Sequence, residues 1–119
     1  MVSLKLFGSA VRTRILILIA LLRETYPREL ARLANAPLIS VQRIVDDLER
    51  DGIVASRLMG GSRLVALNKR LYGKDDLEAF LLKYAKRDAR LELSALITNR
   101  RLLRRLALAK FREFRRLLG

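Results

Sequence analysis

"PLISVQRIVDDLERDG", residues 37–52, decides the fold. Val41, Ile44, Val45 and Leu48 fall at i, i+3, i+4 and i+7, the spacing of one buried helical face. Gly52 follows as a helix stop. The other face divides in two. Its first half carries Ser40, Gln42 and Arg43, whose donors and acceptors suit the edges of bases. Its second half carries Asp46, Asp47, Glu49 and Asp51, which a phosphate backbone repels. A helix with groove chemistry at one end must therefore tolerate acid at the other.

The chain on either side supplies the setting. Ser9 is a good N-cap for "AVRTRILILIALLRE", so a first helix is expected over 9–24. It is apolar on most faces and belongs at the centre of the fold. "TYP" at 25–27 breaks it, because proline fits the first turn of a helix but not its interior. "RELARLANA", 28–36, is a second, short helix with Leu30, Leu33 and Ala34 on one face. "NAP" then turns the chain into the stretch above. Downstream, "IVASRL" and "SRLVAL" are β-prone runs around "MGG". Gly60 and Gly61 give the positive φ that a tight hairpin turn needs. Two strands alone are marginal in water, so the hairpin must pack on the helices. From Lys74 the pattern is helical again through "DDLEAFLLKYAKRDARLELSALI", with Asp75 and Asp76 in the first turn where the helix dipole favours acid. "RRLLRRLALAKFREFRRLLG", 100–119, closes the chain as a basic amphipathic helix. The expected fold class is mainly α with a small β-hairpin. Residues 1–73 form one domain and 74–119 a helical extension.

Composition narrows the chemistry. The 119 residues hold 25 Lys and Arg against 12 acids, a net charge of +13, which points to polyanionic partners. Residues 86–119 carry 11 of the bases and three of the acids, so most of the excess lies near the C-terminus. Cysteine and histidine are absent. That removes disulfides, zinc sites built on thiolate or imidazole, and any nucleophile activated by histidine. No enzyme, metal or cofactor is expected. The apolar run "ILILIALL" has eight residues, where a membrane span needs about 20. Arg23 and Glu24 follow it and no small-residue cleavage site does, so a signal peptide is not expected and a cytoplasmic, nucleoid-associated location is.

The order helix, short helix, turn, helix, glycine, hairpin resembles winged helix-turn-helix DNA-binding domains, closest to the ArsR/MarR-like regulators of bacteria and archaea. "RELARLA" is similar to the first helix of the turn, "SVQRIVDDLERDGIV" to the recognition helix and the start of the wing, and "SRLMGGSRLVALN" to the wing. The resemblance covers residues 7–69. It implies a recognition helix over 37–51 in the major groove of double-stranded DNA and a wing over 53–68 on the backbone or minor groove.

A helix in the major groove meets a distinct donor and acceptor pattern at each base pair, and it reads with its N-terminal half. Here that half leaves Leu38, Ile39, Ser40, Gln42 and Arg43 outside the core stripe. Gln42 suits adenine, Arg43 guanine, and Leu38 or Ile39 a thymine methyl. Ser40 suits a base or a phosphate, or a local backbone bond. Arg57 and Arg63 flank the Gly-Gly turn, and Arg28 and Arg32 lie on the helix that crosses the backbone. All four are candidate phosphate contacts, with solvated charge as the alternative. For Asp46 and Asp47 the favoured reading is pairing with nearby Lys or Arg. Leu103, Leu106, Phe114 and Leu118, with Phe111 beside them, make an apolar stripe on the C-terminal helix. That stripe suits a homodimer seam, which would match a palindromic site; a lipid surface is the weaker reading. The leading function is a sequence-specific transcription regulator. An architectural DNA binder and a protein-interaction winged helix are the alternatives.

Overall fold

The computed structural model describes residues 7–87, Arg112 and residues 115–117. Six elements follow in order: α1 (Ala10–Leu22), α2 (Pro27–Ala34), α3 (Leu38–Arg50), β1 (Val54–Met59), β2 (Ser62–Leu67) and α4 (Lys74–Ala85). The class is as expected, mainly helical with one antiparallel hairpin.

Ser9 caps α1, its Oγ accepting from the Arg12 N–H at 3.1 Å. Every residue from Ile15 to Leu22 is buried, so this helix is the axle of the core. α2, α4 and the hairpin pack around it. α1 ends two residues before the expected Glu24, because Arg23 turns to φ 69°. The "TYP" segment does more than break the helix. The Thr25 N–H donates to the Val65 carbonyl at 3.0 Å and the Thr25 carbonyl accepts from the Val65 N–H at 2.7 Å. Thr25 is thus a one-residue third strand beside β2, and its hydroxyl donates to Glu29 Oε1 at 2.7 Å at the start of α2. α2 begins at Pro27 and closes on Asn35, which adopts a left-handed φ of 53°.

α3 buries Val41, Val45 and Leu48 completely, while Ile44 is half-buried. Its end is a Schellman closure: the Gly52 N–H reaches the Glu49 carbonyl at 3.0 Å and the Ile53 N–H reaches the Leu48 carbonyl at 2.9 Å. Gly52 sits at φ 76°, the conformation this closure requires. The chain then runs straight into β1. In the hairpin Met59 pairs with Ser62 across Gly60 and Gly61, whose φ values of 56° and 83° are those of a two-residue primed turn.

α4 contributes Leu81 and Ala85 to the same core cluster as α1, α2 and α3. The boundary expected at residue 73 therefore falls between elements that share one core. α4 also ends at Ala85, short of the helix expected to reach Ile97. The Arg87 N–H folds back to the Tyr84 carbonyl at 3.0 Å, and its guanidinium lies 5.2 Å above the Tyr84 ring. The apolar stripe of Leu103, Leu106, Phe111, Phe114 and Leu118 lies outside the described residues. Among the described residues no helix is long and apolar enough to cross a membrane.

Candidate nucleic-acid interface

Successive side chains of a strand point to opposite faces. Val54, Val65 and Leu67 point into the core, and the register places Ser56 opposite Val65 and Leu58 opposite Arg63. Ser56, Leu58 and Arg63 therefore occupy the same face, one step further from the body. The outer end of that face meets α3.

On α3, Gln42, Asp46 and Glu49 form a row at i, i+4 and i+7 that faces the hairpin. Arg63 closes the gap. Its two terminal nitrogens reach Asp46 Oδ1 at 2.8 Å and Glu49 Oε2 at 2.6 Å. Its Nε donates to Ser56 Oγ at 3.3 Å, and the Ser56 hydroxyl donates to Glu49 Oε1 at 2.7 Å. The Ser56 hydroxyl first, and Arg63 after it, hold the Glu49 carboxyl below its ordinary value against the upward pull of partial burial. The remaining acids of α3 are also paired: Asp47 with Arg50 at 3.0 Å and Asp51 with Arg12 at 3.5 Å. This resolves the conflict inside the opening stretch. Each acid of the C-terminal half of α3 faces an arginine of its own fold. Exposed pairs of this kind contribute about 0.2–1 kcal/mol each, so their main effect is on local charge and geometry.

The N-terminal half of α3 differs. It carries no acid from Leu38 to Val45. Ile39, Gln42 and Arg43 are exposed, whereas Leu38 and Ser40 are half-buried. Beside it opens a cleft of about 690 Å³ between the start of α2, the start of α3 and the wing turn, lined by Tyr26, Arg28, Leu38, Gln42, Gly61 and Arg63 among others. Arg28, Leu38, Gln42 and Arg63, all expected to touch DNA, thus share one cleft. Arg28 and Arg43 are exposed and make no ion pair among the described residues. Arg32 is exposed on α2 but does not line the cleft. Arg57 is exposed on the other face of the hairpin and pairs with Glu24 at 3.2 Å.

Arg57 and Arg63, expected alike as wing cations, are separated by strand alternation: Arg63 shares the face of Val65 and Leu67, and Arg57 shares that of Ala55. The same alternation places Ser56, not among the expected contacts, beside Arg63. Among the described residues no cluster of three or more His, Cys, Asp or Glu is arranged to hold a metal ion.

Helix, turn, helix and a two-stranded wing on a shared core make this the layout of a winged helix-turn-helix. No family model matches the chain, and no curated protein matches it.

Proposed function

We propose that the chain binds double-stranded DNA as a transcription regulator, with α3 in the major groove and the wing against the backbone or minor groove. One observation carries this reading: the acid-free, exposed start of α3 borders a cleft that also gathers Arg28 and the wing turn, while every acid further along α3 is already paired. Gln42 and Arg43 are the base readers and Arg28 a phosphate contact. Arg32 and Arg57 lie at the flanks, Arg57 held by Glu24. The excess charge of the whole chain supplies sequence-independent attraction through counterion release. A homodimer, through the apolar stripe of the C-terminal segment, and a cytoplasmic location complete the proposal.

A second reading has its own support. Leu58 is 78% exposed and Met59 48% at the wing tip, and Ile39 is 65% exposed on α3. Apolar side chains of this kind are what minor-groove architectural proteins wedge between base steps to bend a duplex.

Selection from a random duplex pool at physiological salt separates the two. A regulator enriches a common motif, and its affinity falls with salt by a slope of about −0.9 for each phosphate neutralised. An architectural binder enriches no motif and bends whatever it holds. Failure to retain any duplex at low salt rejects both.

A further inference from the structure

We infer that Arg63 is a positioning residue: by joining Asp46 and Glu49 of α3 to Ser56 of β1, it fixes the outer half of the wing at one height and angle above α3. The inference rests on the DNA-binding reading for its purpose, but not for its geometry.

The hairpin is anchored unevenly. Its base is held by Val54, Val65 and Leu67 in the core and by the bridge from Thr25 to Val65. Its tip has no such hold, since Leu58 and Met59 are exposed. Arg63 is the second residue after the turn, and among the described residues it is the outermost point at which the hairpin is bonded to α3. Its three guanidine nitrogens are all engaged, by Asp46, Glu49 and Ser56. Three of its five N–H donors are thereby held within the fold, so a phosphate or a guanine would have to compete with Asp46, Glu49 and Ser56 for the fork. The same bonds tie both carboxylates of this row of α3 to one arginine, which offsets one of their two negative charges. The wing arginine next to the turn thus sets where the wing stands, and reading is left to Ile39, Gln42 and Arg43.

Arginine is required for this. A lysine carries the same charge on a single ammonium and has no fixed fork to span two carboxylates and a hydroxyl. Because the chain has no cysteine, Ile39→Cys and Leu58→Cys place two spin labels uniquely, one on α3 and one at the wing tip. Pulsed dipolar spectroscopy on the full chain then reports their separation without DNA. The parent distribution is expected to be narrow. It should broaden in Arg63→Lys, and equally in Asp46→Asn with Glu49→Gln, each checked for unchanged helix content. The parent width in either variant overturns the inference. In unlabelled protein, Arg63→Lys should weaken duplex binding about tenfold, within the coupling expected of groups sharing one ion-pair network. Undiminished affinity in that variant shows Arg63 to have no positioning role in binding. If the parent chain shifts no duplex, the DNA reading fails, while the distance measurement still decides the clamp.

Discussion

Arg63 and Arg43 show how two arginines of similar sequence standing come to different ends. Both lie beside the glycine turn or the start of α3, and both were candidate DNA contacts. Arg63 is folded into a network with Asp46, Glu49 and Ser56, whereas Arg43 is exposed. Arg43→Ala is therefore predicted to weaken binding to a selected site by about 1–3 kcal/mol while barely changing scrambled DNA. Competition binding with the two duplexes checks it, and equal loss on both would remove base reading from this residue. Glu49 carries a pH prediction. Its folded pKa is lowered from 4.5, so its contribution to stability is present above that value and is lost as pH falls through the lower folded one. Thermal melts from neutral to acid pH should show the parent losing more stability below pH 4.5 than Glu49→Gln does. At this scale the sequence was half legible. It showed which residues were charged and that the acids needed partners. It did not show that the partner of Asp46 and Glu49 lay on β2, because pairing across elements depends on the hairpin's register.

At the scale of elements, local chemistry was the better guide. The stripe of Val41, Val45 and Leu48 located α3 to within one residue at each end, since a core-facing helix is defined by its own spacing. Ser9, Gly52 and the Gly60–Gly61 pair marked a start, a stop and a turn for reasons internal to each. Arg23 and Thr25 were less legible. Neither the positive φ of Arg23, which closes α1 as its C-cap, nor the strand pairing of Thr25, which depends on β2 lying alongside, follows from residue type. The turn makes a direct prediction. Alanine at Gly60 or Gly61 forces an L-residue into positive φ at about 1–2 kcal/mol each, although neither site is crowded. Chemical denaturation should show each single variant destabilised, and duplex binding should weaken if the wing takes part in it. An unchanged midpoint in both variants would mean that the turn is not formed as described.

At the scale of the whole molecule, one apolar axle organises everything. α1 is wrapped by α2, α4 and the hairpin, and Leu81 of α4 is fully buried against it. The sequence places a helical extension from residue 74, where the pattern changes from strand to helix, and its first helix, α4, packs into the shared core. Leu81→Ala is predicted to cost about 2–5 kcal/mol of global stability, measured by urea unfolding. A loss near zero would mean that α4 folds independently of the winged part. The central claim is that the start of α3 and the wing turn form one face for duplex DNA. Titrating isotope-labelled protein with a short selected duplex, and following backbone amide shifts, tests it most directly. Ile39 to Arg43 and Gly60 to Ser62 should shift together and saturate together, with the outer residues of α4 quiet. A saturated complex in which both segments keep their free-state shifts would contradict it.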